Sequence, residues 1–197
     1  MATAFHADIG LLEHEALTPL YGEPVIFHCN YYNLFLQRTI EDAGEYIPAA
    51  DILTRGAVAV VYPMLRRLFE THTDIREPEQ RLRAAADVYA QLGFGNLPVA
   101  GLTATGGVAT THVTHYSLAW QETWEQRDTP VDYFTCGYLQ AALAAAYYRA
   151  PGYYGVTQTR CLSMGHAENE FEAVVRNECQ TVPSSPGIGV TMRDATT

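Results

Sequence analysis

With 197 residues, 48% of them hydrophobic, the chain is long enough to bury a substantial core. Its 22 acidic side chains outnumber 12 basic ones, and the resulting net charge of −10 repels phosphate backbones and anionic lipid surfaces, which argues against nucleic acid and membranes as partners. All of the bases are arginine, and a chain without lysine can form neither a lysine Schiff base nor a phosphate loop ending in Gly-Lys.

The apolar runs GAVAVVYPML and LQAALAAAYY are shorter than the ~20 residues of a membrane span, and the N-terminus has no basic-then-apolar leader, so a cytoplasmic protein is expected. Cys29, Cys136, Cys161 and Cys179 are far apart and form no CxxC pair, which points away from a disulfide framework or a zinc ribbon.

Residues 1–24 read as an N-terminal extension, 25–176 as a single domain, and 177–197, rich in proline and glycine, as a loose tail. Within the domain, residues 25–93 read as a helical part and 98–176 as a sheet with one further helix. The spacing predicts a first helix over Val25–Ala43, stopped by Gly44, and a second over Ala49–Glu70 with Pro63 inside it. A third runs from Pro78 to about Leu92. Gly93 and Gly95 in QLGFGNL follow that helix rather than a strand, so they form no dinucleotide fingerprint. LPVAGLTATGGVATTHVTHYS is rich in Thr and Val, is broken at Gly106-Gly107, and reads as two strands of a hairpin. PVDYFTCGYLQAALAAAYY reads as a helix opened by Pro130, and YYGVTQTRC and EFEAVV as two closing strands. The second helix is apolar around so much of its circumference that a homodimer is expected.

The stretch VIFHCNYYNLFLQ carries an unusual number of polar groups for a core helix. At helical spacing Val25, Cys29, Tyr32, Leu36 and Ile40 share one stripe, while Asn30, Asn33 and Gln37 share the next. Buried carboxamides without partners cost about 1–3 kcal/mol each, so the amides either face solvent or converge on a polar ligand. In the second case Cys29 is a candidate nucleophile and His28, or an imidazole from elsewhere, its base. His112 and His115 in TTHVTHYS supply two such imidazoles, on opposite faces if the segment is a strand.

The order of elements and several local words resemble the 4-vinyl reductase domain family over roughly Ile52–Val175. The words are ILTRGA in the second helix, LGFG before the first strand, the Ser-Leu-Ala of HYSLAW, PVDYFTCGYLQAAL with its internal Gly-Tyr, and CLSMGHAENEF. The resemblance implies an α+β fold in which an antiparallel sheet of about four strands is covered by helices around a buried small-molecule pocket. It also implies that the N-terminal helices contribute to the pocket wall or to a dimer surface. In the sensor branch of the family it implies a zinc site, whose positions here are Asp132, Gln158, Cys161 and Asn169, with His166 in the same block. Amides are weak zinc ligands, so no metal and no cofactor are expected, and Cys161 reads as a small buried apolar residue.

The expected function is therefore binding of a small, partly apolar or aromatic molecule. Asn30, Asn33, Gln37, His112, Tyr116 and Trp120 are candidate ligand contacts. The alternative is a cofactor-independent hydrolase, lyase or cyclase using Cys29 with His28 or His115 as base. A reductase finds no nucleotide or cluster motif here.

Overall fold

The computed structural model describes residues 4–10, 17–21, 23–26 and 28–176; Cys179 and the proposed tail lie outside the described residues. The first correction falls at the start. Glu23–Val25 (β2) pairs antiparallel with Thr18–Leu20 (β1), and the chain stays non-helical until α1, Asn30–Asp42, which has Cys29 at its N-cap. Pro24 brings no N–H to an α-turn, and Val25 is held opposite Thr18, so helix can begin only after both. His28 and Cys29 thus belong to an extended lead-in rather than to a helix face.

The burial of α1 also reverses the expected stripes. Leu34 and Gln37 are its buried residues, whereas Tyr32 and Leu36 are 51% and 49% exposed. Gln37 goes inside because its amide is satisfied there: Nε2 donates to the Val131 carbonyl at 2.8 Å and to Glu41 Oε1 at 3.0 Å. Leu34 joins Ala119, Trp120, Val131 and Cys161 in a small apolar cluster beneath α1.

The main core forms where α2, Ala49–Thr71, crosses α5, Tyr133–Ala146. From α2 it takes Ala57, Val58, Val61, Met64, Leu65, Leu68 and Phe69, and α5 is buried continuously from Thr135 to Ala146. Gly137 permits the close crossing, since a Cβ there would collide with the Thr54 carbonyl and the Ala57 methyl. Pro63 sits inside α2 as expected. Helix α3, Pro78–Gln91, starts with Pro at N1 and a Glu77/Gln80 capping box. It is tied to α5 by the Tyr138 hydroxyl donating to the Ala85 carbonyl at 2.6 Å.

The remaining elements are β3 (Leu102–Thr103), β4 (Gly106–Thr111), α4 (His115–Thr123), β5 (Tyr154–Arg160) and β6 (Asn169–Val175). The strands form one antiparallel sheet in the order β3-β4-β6-β5. This is the expected α+β architecture with a four-stranded antiparallel sheet, but two local readings fail. The hairpin turn lies at Ala104-Thr105, and Gly106-Gly107 are inside β4 with φ of 107° and 133°. They are glycines because side chains there would strike the Ala173 and Gly101 carbonyls. The second hairpin strand also stops at Thr111. HYSLAWQET is helix α4, started by a reciprocal cap in which Thr114 accepts from Ser117 N–H and the Ser117 hydroxyl oxygen accepts from Thr114 N–H.

Among the described residues no helix is long and apolar enough to cross a membrane.

Candidate functional site

A cavity of about 230 Å³ opens between α2, α5 and the ends of α3 and α4. Val60, Val61 and Met64 of α2, Phe134 and Tyr138 of α5, and Leu92 and Phe94 after α3 form its apolar walls, with Val25 and Ile26 closing one side. Phe94 stacks on Phe134 with ring centroids 4.3 Å apart. Its place is set by flanking glycines with positive φ, Gly93 at 84° and Gly95 at 119°, which let the chain turn sharply out of α3. The Phe94 carbonyl then accepts from the His115 backbone N–H at 2.9 Å and so ties the loop to α4.

Besides Tyr138, whose hydroxyl is turned to the Ala85 carbonyl, three polar side chains among the described residues line the cavity, and they form one relay. His28 Nδ1 lies 3.2 Å from Asn33 Oδ1, and Asn33 Nδ2 lies 3.0 Å from His115 Nε2. A carboxamide nitrogen only donates and its oxygen only accepts, so this amide orientation makes His28 Nδ1–H the donor and His115 Nε2 the acceptor. His115 is then protonated on Nδ1, beside the Gly93 carbonyl. Burial pushes the His115 pKa below the ordinary histidine value, and the bond to the Gly93 carbonyl only partly opposes this. The cavity therefore presents a neutral imidazole with a basic nitrogen facing an amide donor, and among the described residues none of those lining it is Asp, Glu, Arg or Lys.

The structure sorts the expected site residues into three groups. His28, Asn33 and His115 meet at the cavity. Cys29 does not line it: the residue is exposed, and no hydrogen bond joins its sulfur to an imidazole among the described residues. His112 is also exposed, beyond the end of β4, and lines a separate shallow depression with Glu168. The opposite-facing strand histidines are thus replaced by one loop histidine and one at the first position of α4.

Asn30, Gln37, Tyr116 and Trp120 lie outside the cavity lining. The Asn30 side-chain oxygen accepts from Tyr31 N–H at the helix start, and Gln37 is held by Val131 and Glu41. Tyr116 packs beside His115 with centroids 5.2 Å apart. Trp120 donates Nε1–H to the Glu125 carbonyl at 2.9 Å and lies under the Arg127 guanidinium, 4.5 Å away. Sequence reasoning missed the larger part of the wall, including Met64, Phe94 and Phe134. The available signal was LGFG, where two glycines bracket one aromatic residue.

The four positions of the implied zinc site do converge, and all are buried. They do not fit a metal. Gln158 Nε2 donates to Asn169 Oδ1 at 3.1 Å, so these amides bind each other, and the Cys161 sulfur accepts from the Ser163 hydroxyl at 3.0 Å. That leaves one thiol and one carboxyl, short of the closed set of thiolates and imidazoles that structural zinc takes. His166 does not complete the set: among the described residues no three His, Cys, Asp or Glu side chains come together as metal ligands.

The sequence matches no protein-family model and no curated protein. Among solved structures, the chain is similar to the phenol-responsive sensory domain of the transcription activator PoxR with phenol: TM-score 0.69, 12% identity, 85% of this chain and 84% of that one. A vinyl-4-reductase family protein from Methanocaldococcus jannaschii aligns at TM-score 0.49 and 17% identity, over 80% and 87% of the two chains. A trafficking protein particle complex subunit 3 from Naegleria fowleri, covalently bound to palmitic acid, aligns at TM-score 0.49 and 13% identity, over 75% and 95%. The chain has the fold of the phenol-responsive sensory domain, in agreement with the 4-vinyl reductase resemblance in the sequence.

Proposed function

We propose that this protein binds a small, uncharged, largely apolar molecule, one ring or a comparably compact hydrocarbon, with its single polar group on the His115–Asn33 pair. The observation that carries this reading is the distribution of polarity, with apolar walls on most sides and the His28–Asn33–His115 relay at one end. A dry cavity of roughly 150 Å³ accommodates benzene, so about 230 Å³ leaves room for one substituted ring. A hydroxyl on that ring can donate to His115 Nε2 and accept from the Asn33 amide. An anionic head group meets no cation among the lining residues. Phenol, bound in the structurally similar sensory domain, has the required shape and polarity.

In this reading the protein is a sensor or carrier in the cytoplasm, where Cys29, Cys136 and Cys161 remain free thiols. The net charge of −10 weighs against nucleic acid as a partner. Tyr31, Tyr32, Phe35 and Leu36 on the exposed face of α1 are the proposed homodimer surface, in place of α2, most of whose apolar side chains pack inside. No observation favours a Cys29-dependent enzyme over binding.

Isothermal titration with phenol, cyclohexanol and benzoate tests the proposal. Saturable 1:1 binding is expected for phenol, weaker binding for benzoate, and a roughly tenfold loss of phenol affinity, ~1.4 kcal/mol, in His115→Phe. Failure of both neutral ligands to saturate at millimolar concentration, or tighter binding of benzoate, contradicts it.

A further inference from the structure

Asn169, at the start of β6, is fully buried and joins four separate parts of the chain. Its Oδ1 accepts from Gln158 Nε2 of β5 at 3.1 Å and from Leu162 N–H at 3.3 Å. Its Nδ2 donates to the Ser117 hydroxyl of α4 at 3.1 Å and to the His112 carbonyl at 3.4 Å. From there the connections lead to two helix N-termini. Ser117 is bonded reciprocally to Thr114, the N-cap of α4, through its hydroxyl and its backbone N–H. On the other side, Gln158 Oε1 accepts from the backbone N–H of Asp132 at 3.1 Å, and Asp132 is the N-cap of α5, taking Thr135 N–H on Oδ1 at 3.0 Å.

The residues just past these two caps both line the cavity, and each packs on Phe94. Thr114 is followed by His115, and Asp132 is followed two residues on by Phe134. A helix N-terminus carries unpartnered N–H groups and frays unless capped, so whatever orients the cap orients the first turn. The Gln158–Asn169 amide pair is the bridge between the two caps.

We infer that Gln158 and Asn169 form a metal-free clamp that fixes the N-termini of α4 and α5 and thereby positions His115 and Phe134, each packed on Phe94, in the cavity wall. This replaces, with neutral hydrogen bonds, the cross-linking a metal ion would supply between β5, β6 and α5. Both amides are positioning residues, with no direct contact to the cavity contents. Only the consequence for ligand rests on the proposed binding function; the clamp itself does not.

The test uses the ligand-free full chain. Zinc content and thermal melting are measured with and without EDTA, and long-range ¹H–¹⁵N spectra of the imidazoles are recorded for wild type, Asn169→Leu, Ser117→Ala and, as a control, the core variant Leu82→Ala. The expected results are no stoichiometric zinc, a melting temperature unchanged by EDTA, and His115 nitrogen resonances displaced in Asn169→Leu with those of His72 in place. Leu82→Ala lowers the melting temperature without moving the His115 signals. Should Asn169→Leu fail to fold, Ser117→Ala, which removes both the Asn169 contact and the hydroxyl half of the α4 cap, carries the same expectation for His115. Stoichiometric zinc whose removal lowers the melting temperature overturns the inference. So does an unmoved His115 signal in whichever folded clamp variant is measured, or an equal shift in Leu82→Ala. Because no ligand is added, any of these results is independent of whether phenol binds.

Discussion

The cavity and the amide clamp flank the first turn of α5 and solve opposite problems. On the cavity side, Phe134 and Tyr138 lie one helical turn apart and present an apolar face with three polar groups gathered at one edge. On the clamp side, Asp132, Gln158 and Asn169 are sealed from water and bonded to the main chain and to each other. One atom breaks that pattern: Asp132 Oδ2 is buried with no hydrogen-bond partner among the described residues, while the Thr114 hydroxyl donates to Ser117. Burial accordingly pushes the Asp132 carboxyl pKa up, with the Thr135 N–H acting against it. The difference teaches that polar residues in a core can serve either a guest or the fold, and that the number of protein partners each one already has distinguishes the cases. Asn33 holds two ring nitrogens at a cavity edge, whereas Asn169 holds four groups and does not line that cavity.

The comparison can be broken most severely on the clamp side. Asn169→Leu leaves Gln158 Nε2 and Leu162 N–H without their acceptor. An orphaned buried group costs about 1–3 kcal/mol, so a stability loss of about 3 kcal/mol or more is expected in denaturant unfolding. A loss below ~1 kcal/mol would place the clamp among ordinary surface bonds. On the cavity side, Val60→Trp at the half-exposed rim should leave stability within ~0.5 kcal/mol and lower phenol affinity at least tenfold, ~1.4 kcal/mol, by occupying the space a guest needs.

A smaller effect comes from pH. The folded-state pKa of His115 is depressed, so below the ordinary value of 6.5 the unfolded chain takes up the proton first. The stability contribution of the neutral ring is present above about pH 6.5 and is lost as pH falls through the folded pKa. A ¹⁵N titration should show His115 with a midpoint below 6.5, and phenol affinity should fall as pH drops through that midpoint, because protonation removes the acceptor at Nε2. A midpoint above 6.5 would contradict the relay direction. The smallest effect is expected at Cys29. Being exposed, it should alkylate faster than Cys136, which is buried and whose thiol pKa burial pushes up, and saturating phenol should leave its rate unchanged.

Much of the architecture was legible because long periodic segments dominate it. The helix over Ala49–Glu70, the Gly-Tyr helix and the two closing strands occur within a few residues of their expected limits. The errors arose where tertiary pairing overrode local pattern. Val25 belongs to a strand because Thr18 pairs with it, a partner that helical spacing cannot reveal. HYSLAWQET becomes a helix because Thr114 and Ser117 cap each other, a signal present in the sequence but outweighed by the Thr- and Val-rich run before it. For the site, the polarity of Val25–Gln37 drew attention to Asn33 and His28, which line the cavity, and equally to Gln37 and Asn30, which main-chain groups and a helix start satisfy. Phe134 and Met64 gave little sign, because an apolar residue on a cavity wall has the same chemistry as one in a filled core.

The central claim, that this cavity is where the protein takes a small neutral guest, is tested most directly by a crystal structure with 4-bromophenol, located by the anomalous signal of bromine. The account predicts a bromine peak between the α2 and α5 walls, with the phenolic oxygen within hydrogen-bond distance of His115 Nε2 and Asn33 Nδ2. A peak only on the exposed aromatic face of α1, with the cavity devoid of ligand density at saturating concentration, would contradict it.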